Sequence, residues 1–168
     1  MVSLLEGIQA PGLRPLNILI LDNVLIDAEL MKQALRKGGM DFVAKRVDRN
    51  DAFAEMLESF KPDVVLADSA PSDFTLRDAL DHVRRTHPEV PVLMVTNAID
   101  EIAIVDALKD GAKNHVLKNN LQRLPAAVGR AICAEQSIHT RKGAATAPAA
   151  TDAIAGGLFE PQWMHKRI

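Results

Sequence analysis

Five polar residues each stand at the end of a short apolar segment of the chain. They are the adjacent pair Asp22 and Asn23, followed by Asp68, Thr96 and Lys118. Two carboxylates and an amide supply the hard oxygen ligands that Mg²⁺ prefers. An ammonium and a hydroxyl next to such a cation complement the dispersed negative charge of a phosphoryl group. The residue types therefore predict phosphoryl chemistry, provided that the fold brings the five side chains together.

The apolar segments alternate with longer amphipathic stretches, and this alternation predicts the fold. Three segments are almost continuously apolar, which is typical of parallel strands buried on both faces. Between the segments, apolar residues recur at helical spacing. The βαβαβαβαβα order predicts an α/β fold with a doubly wound, five-stranded parallel sheet flanked by five helices. The predicted strands are Ile18–Leu21, Phe42–Val47, Val64–Ala67, Val92–Val95 and His115–Leu117.

The predicted sheet gives the five polar residues a common location. Taken singly, an Asp, Asn or Thr between a strand and a helix is more often an N-cap than a catalytic group. In an open α/β sheet, however, ligands bind beyond the carboxyl ends of the strands. All five residues lie at such ends, so we expect them to converge on one edge of the sheet.

Composition and charge limit the possible partners and compartments. The 168 residues carry a net charge of −2, and the pI is near 6.2. The chain therefore has no overall basic field for nucleic acid or anionic lipid. Its single cysteine, Cys133, suits a reducing compartment. No secretion signal and no apolar run long enough to span a bilayer is evident. We expect a cytoplasmic protein that binds neither nucleic acid nor membrane.

The apolar periodicity also predicts where the folded domain begins and ends. Residues 1–15 show no periodic pattern and are predicted to form an N-terminal arm. Residues 16–136 are predicted to form the α/β domain. After about Gln136 the periodicity stops, and an Ala/Gly/Thr/Pro-rich stretch, KGAATAPAATDAIAGG, follows. Residues 137–168 are therefore predicted to be a flexible C-terminal tail.

From about Leu16 to Ile132 the chain resembles a bacterial response-regulator receiver domain of the chemotaxis-regulator type. The motifs that carry the resemblance are ILILDN, KPDVVLAD, PVLMVT and DGAKNHVLK, in that order. The resemblance implies a flavodoxin-like receiver fold with strand order 2-1-3-4-5. It also implies a role in two-component phosphorelay signalling.

The family pattern assigns a role to each polar residue. The resemblance implies that Asp68 accepts a phosphoryl group from a histidine kinase or a histidine phosphotransfer protein. Lys118 and Thr96 would contact the phosphoryl group. The cofactor would be Mg²⁺, held by Asp22, Asn23, Asp68 and the backbone carbonyl of Ala70. Such a protein is not an enzyme acting on a separate substrate, although it catalyses its own phosphorylation and dephosphorylation.

The resemblance also implies how the signal leaves the domain. Thr96 would shift toward the new phosphoryl group, together with the residue three before the lysine, which is His115. These two residues form the predicted switch. The output surface would consist of the fourth helix, fifth strand and fifth helix, roughly Glu101 to Glu135. It would bind a downstream protein, and a homodimer through it is possible in this family.

Two departures from the family pattern keep a second function open. Asn23 stands where the family usually has a second acid, so the pocket loses a full negative charge there. The family commonly has proline four residues and glycine eight residues after the phosphoacceptor, but this chain has Ser72 and Leu76. The alternative is a pseudo-receiver, a protein-binding module that acts without phosphorylation. Retention of Asp68, Thr96 and Lys118 favours the functional receiver.

Enzymes with a similar sheet fit the sequence less well. A dinucleotide-binding protein needs a glycine-rich turn after the first strand, but the turn here is DNVLID. A haloacid-dehalogenase-type phosphatase has a second Asp two residues after its nucleophile, and Val24 occupies that position. Flavodoxins have a Ser/Thr-rich phosphate loop there, which this sequence lacks.

Overall fold

A computed structural model describes residues 14–69, 74–97 and 100–145 of the chain. Five parallel strands form one sheet with the order β2-β1-β3-β4-β5, as predicted. The strands are β1 (Leu16–Leu21), β2 (Phe42–Val47), β3 (Val64–Ala67), β4 (Val92–Thr96) and β5 (Asn114–Leu117). The helices are α1 (Leu25–Lys37), α2 (Asn50–Ser59), α3 (Leu76–Thr86), α4 (Glu101–Lys109) and α5 (Leu124–Ala145). A 3₁₀ segment, Lys118–Arg123, links β5 to α5.

The central strands β3 and β4 are apolar up to the final Thr96 because helices cover both faces of the sheet. Every residue of β3 and β4 is buried. Side chains alternate along each strand, so Leu19 and Leu21 of β1 face α2 and α3, whereas Ile18 and Ile20 face α1 and α5. Burying one such side chain fully contributes about 1.5–3 kcal/mol. Each face of the sheet therefore has its own apolar core. These two cores fix the register of the strands and, with it, the position of the strand ends.

Local signals in the sequence define several helix ends. The hydroxyl of Thr75 accepts a hydrogen bond from the amide of Asp78, and the Asp78 carboxylate accepts one from the Thr75 amide, which starts α3 with a capping box. Asp100 caps α4, and its carboxylate accepts hydrogen bonds from the amides of Ile102 and Ala103. Gly39 and Gly111, both with positive φ, follow α1 and α4. Leu76, at the position where the family commonly has glycine, is the first residue of α3 and is buried in the core.

The last helix extends further than the sequence pattern predicted. Helix α5 continues to Ala145, beyond the expected end near Gln136. Apolar periodicity detects a helix only where one face is buried, and the segment SIHTRKGAA carries no apolar stripe. The first nine residues of the predicted flexible tail are therefore helical. The chain divides into two compact units, residues 1–136 and 137–168, and α5 ends in the second.

The predicted N-terminal arm lies mostly outside the described residues. Its described part includes Arg14, whose guanidinium forms two hydrogen bonds of 2.8 and 2.9 Å with the carboxylate of Asp63. The boundaries of arm, domain and tail remain a prediction. Among the helices in the described part of the chain, none combines the length and the hydropathy needed to cross a bilayer.

Candidate functional site

Four of the predicted site residues lie together at the carboxyl edge of the sheet. Asp22 and Asp68 directly follow β1 and β3, Thr96 ends β4, and Lys118 directly follows β5. Backbone hydrogen bonds extend the sheet to this edge: the amide of Asp22 donates to Val47 and that of Asp68 donates to Leu21. Because all strands are parallel, their carboxyl ends share one edge. The fold thus brings together residues that are nearly 100 positions apart.

The ammonium of Lys118 lies at the centre of this site. Its Nζ donates hydrogen bonds to Asp22 Oδ2 at 2.7 Å and to Asp27 Oδ2 at 2.8 Å. It also forms an ion pair with Asp68 Oδ1 at 3.4 Å. The side chain of Lys118 is only 6% exposed, and that of Asp22 is fully buried. A buried ammonium and a buried carboxylate are stable here because each compensates the other's lost hydration.

Two opposing influences set the pKa of Lys118. Burial is the larger single influence, and it lowers the pKa because it disfavours the charged form. The hydrogen bonds to Asp22 and Asp27, together with the charge of Asp68, raise the pKa and outweigh burial. The pKa of Lys118 is therefore above its ordinary value, and the side chain is cationic at neutral pH.

Asp27 is a member of this cluster that the sequence reasoning missed. It lies in the first turn of α1, where the positive end of the helix dipole favours a carboxylate. Its side chain is 20% exposed, and its Oδ2 lies 2.8 Å from Lys118 Nζ, against 2.7 Å for Asp22 Oδ2. The available signal was an acid in the first turn of the helix that follows β1.

The other two predicted metal ligands are Asn23 and Ala70. Asn23 follows Asp22 at the same edge of the sheet but is exposed. Ala70 lies outside the described residues. Asp22 Oδ1 accepts a hydrogen bond from the amide of Val24 at 2.8 Å, which fixes the turn that carries Asn23.

The predicted switch residue Thr96 is buried, and its hydroxyl shares a hydrogen bond of 2.8 Å with the hydroxyl of Ser69. Ser69, directly after Asp68, is a second contact that the sequence reasoning missed. His115 is half-buried on β5 and pairs with Met94 of β4, while Leu117 pairs with Thr96. In-register pairing and strand alternation put His115 on the same sheet face as Thr96.

The cluster combines three carboxylates with one ammonium, so its formal charge is negative when all four groups are ionised. The carboxylates of Asp22 and Asp68 both contact one nitrogen, so their oxygens converge on one small region. Hard oxygen donors of this kind fit Mg²⁺ rather than a softer metal. Within the three described ranges, no three Asp, Glu, His or Cys side chains are arranged to enclose an ion by themselves.

The fold and the site together define an α/β signalling domain of the receiver type. The family model described as "Response regulator receiver domain" matches residues 18–129. The chain therefore belongs to the response-regulator receiver family, which acts in two-component signalling.

Individual relatives agree with this assignment. The chain is 35% identical over 81 residues to the oxygen regulatory protein NreC of Staphylococcus aureus (strain JH9). The match covers 48% of this chain and 37% of NreC, so the chain spans little more than a third of that relative.

Solved structures show the same fold. The signal receiver domain of a putative LuxO repressor protein from Vibrio parahaemolyticus superimposes with a TM-score of 0.67 at 21% identity, covering 76% of this chain and 97% of that one. A response regulator from Thermotoga maritima gives a TM-score of 0.63 at 24% identity, covering 72% and 99%.

Proposed function

We propose that the chain is a phosphorelay receiver that accepts a phosphoryl group on Asp68 from a histidine kinase or a histidine phosphotransfer protein. The observation that carries this proposal is the buried ammonium of Lys118, which contacts Asp22, Asp27 and Asp68 at the carboxyl edge of the sheet. The Asp68 side chain remains 14% exposed, so a donor can reach it. Cytoplasmic location is part of the same proposal.

In the proposed reaction, a carboxylate oxygen of Asp68 attacks the phosphorus of a phosphohistidine. A P–O bond forms and the P–N bond breaks, and the electron pair of that bond returns to the imidazole nitrogen. Lys118 donates a hydrogen bond to one phosphoryl oxygen, and the Thr96 hydroxyl donates one to another. Negative charge is concentrated on these oxygens. Hydrolysis of the resulting acyl phosphate returns inorganic phosphate and the Asp68 carboxylate. The chain therefore catalyses its own modification and has no separate substrate to turn over.

The proposed cofactor is Mg²⁺. Asp22 and Asp68 would supply anionic ligands, and the Asn23 side chain and the Ala70 carbonyl would supply neutral ones. When bound, the cation neutralises charge that would otherwise repel an anionic phosphoryl donor. Lys118 alone offsets only one of the three negative charges around it.

The proposed output is contact with a downstream protein through the surface formed by α4, β5 and α5. Three apolar side chains of α4 are exposed there: Ile102, Val105 and Leu108. Pairing of two copies through the same surface is part of the proposal. The sequence-based prediction that the chain does not bind nucleic acid remains a prediction.

Acetyl phosphate tests the phosphoacceptor directly. Purified protein would be incubated with acetyl phosphate and Mg²⁺, and its intact mass measured. We expect a gain of one phosphoryl group that requires Mg²⁺ and is absent in Asp68→Ala and Asp68→Asn. Folding of each variant would be checked by circular dichroism.

No mass gain in folded wild-type protein, even at high Mg²⁺, would refute the proposal and favour the pseudo-receiver. The Asn23→Asp variant would then show whether the neutral side chain at this position is the cause. A gain that persists in both Asp68 variants would place the phosphoacceptor elsewhere.

A further inference from the structure

The donors of Lys118 are unevenly shared among its three carboxylate neighbours. Asp22 and Asp27 each accept a hydrogen bond, at 2.7 and 2.8 Å. Asp68 lies at 3.4 Å, beyond the usual hydrogen-bond range of about 2.7–3.2 Å. The phosphoacceptor is thus the neighbour that Lys118 contacts least closely.

The position of Asp27 explains this uneven sharing. Asp27 lies on α1 and Asp22 on the end of β1, so both acids hold the ammonium from the β1 side of the site. Asp68 follows β3, the next strand in the sheet. An ammonium has three N–H donors, and the two acids on the β1 side take two of them. With its side chain only 6% exposed, Lys118 has little access to water that could replace either bond.

We propose that Asp27 is a positioning residue that holds the Lys118 ammonium away from Asp68 until Asp68 carries a phosphoryl group. This inference rests on the proposed function of Asp68. Asp27 competes with the phosphoryl oxygens for the position of the ammonium, because its 2.8 Å hydrogen bond holds Lys118 Nζ on the β1 side of the site. We expect this bond to lengthen when Lys118 contacts the phosphoryl group. A charge-assisted hydrogen bond is about twice as strong as a neutral one. The charge on Asp27 therefore sets how strongly the unphosphorylated arrangement is favoured.

The first test is structural and needs no phosphoryl group. Crystal structures of the wild type, Asp27→Ala and Asp27→Asn would be determined without a phosphodonor. We expect the distance from Lys118 Nζ to Asp68 to shorten in Asp27→Ala from 3.4 Å to a hydrogen bond of about 2.8 Å. Asp27→Asn keeps the shape and one oxygen acceptor and should show a smaller shift. An unchanged distance in Asp27→Ala would overturn the proposal.

The second test measures competition. Beryllofluoride, BeF₃⁻, coordinates a carboxylate oxygen and imitates a phosphoryl group. Its affinity for each protein would be measured by ¹⁹F NMR at Mg²⁺ concentrations raised until the affinity no longer changes, so that altered metal binding does not contribute. We expect at least fivefold tighter binding by Asp27→Ala, an intermediate value for Asp27→Asn, and restoration toward the wild type by Asp27→Glu.

Glu29→Ala is the matched control, because Glu29 is an acid on the same helix that pairs with Lys32 instead of Lys118. It should bind BeF₃⁻ as the wild type does. Equal or weaker binding by Asp27→Ala would overturn the proposal, because Asp27 would then not compete for Lys118. If no variant and no wild-type protein binds BeF₃⁻, the proposed function fails, and the crystal structures alone decide the role of Asp27.

Discussion

We predict that the negative charge of Asp68 destabilises the folded protein when no metal is bound. The distances around Lys118 give the sizes of the attraction and the repulsions that act on this charge. At an effective dielectric constant of about 20, the attraction between Asp68 and Lys118 at 3.4 Å is about 5 kcal/mol. Contact with one shared Nζ places the Asp68 oxygen within about 6 Å of an oxygen of Asp22 and of Asp27. Each repulsion is then at least about 2.7 kcal/mol, so the two together slightly exceed the attraction.

The remaining energy term is hydration, which also disfavours a carboxylate at this position. The Asp68 side chain is 14% exposed, so its charge has lost most of its contact with water. Replacing it with the isosteric amide removes both repulsions and the cost of dehydrating the charge. We therefore expect Asp68→Asn to raise the free energy of unfolding by about 1 kcal/mol in EDTA, net of the lost attraction to Lys118.

Urea denaturation followed by circular dichroism measures this difference, provided that the slope with urea is unchanged. Asp51→Asn is the control, because Asp51 is 70% exposed and pairs with Arg49 away from the site. It should lie within about 0.5 kcal/mol of the wild type. A free energy of unfolding for Asp68→Asn that is lower than that of the wild type by about 1 kcal/mol or more would contradict this prediction. The attraction between Asp68 and Lys118 would then exceed the two repulsions and the dehydration cost.

Mg²⁺ should reverse the order of stability if the proposed cofactor is correct. A ligand that binds only the folded state at 100 times its Kd adds about 2.7 kcal/mol. The wild type should gain this stabilisation, and Asp68→Asn should gain less because it has lost an anionic ligand. Equal gains in the two proteins would show that Asp68 does not hold the ion.

Three further perturbations test other contacts. Thr75→Ala should lower the free energy of unfolding by about 1 kcal/mol in urea denaturation, because the N-cap of α3 loses its acceptor, whereas Thr75→Ser should retain it. Gly38→Ala should cost about 1–3 kcal/mol in the same assay, because a Cβ at Gly38 would overlap the ring of Pro125. A Cβ at Gly39 would contact no neighbouring atom, but Gly39 has a φ of 78°. Gly39→Ala should therefore cost less than Gly38→Ala, about 1–2 kcal/mol. Folding raises the pKa of Lys118. The stabilisation that the Lys118 ammonium gives the folded state is therefore complete below the unfolded-state pKa of about 10.4, and it is lost as the pH rises through the folded-state pKa. The difference in unfolding free energy between wild type and Lys118→Met should therefore shrink at alkaline pH, and a constant difference would contradict the raised pKa.

The centre of the fold was predictable because strands β3 and β4 are buried on both faces. The runs VVLA and VLMVT are apolar at every position up to the final Thr96, and each became a fully buried strand. The predicted strand ends differ from the observed ones by at most two residues, as at β1, which begins at Leu16 instead of Ile18. The end of α5 was not predictable in the same way. The segment SIHTRKGAA, which forms its last turns, has no apolar stripe, so no apolar period marks them.

The site was predictable where strand topology alone fixes a residue's position. Four site residues each end or directly follow a strand: Asp22, Asp68, Thr96 and Lys118. The parallel sheet therefore brings them together regardless of their side-chain rotamers. The contact between Ser69 and Thr96 depends instead on two rotamers, which periodicity does not report. Its only signal was the position of Ser69 directly after Asp68.

Asp27 shows why the charge of a pocket has to be counted in space and not along one motif. At the motif position after Asp22, the sequence has the neutral Asn23, which suggested that the pocket had lost an acid. Helix α1 starts three residues after Asp22, and its first turn brings Asp27 to within 2.8 Å of Lys118. Three carboxylates therefore surround the ammonium even though the motif itself contributes only one of its usual pair. The third acid enters from α1, and this is why it holds Lys118 on the side away from Asp68.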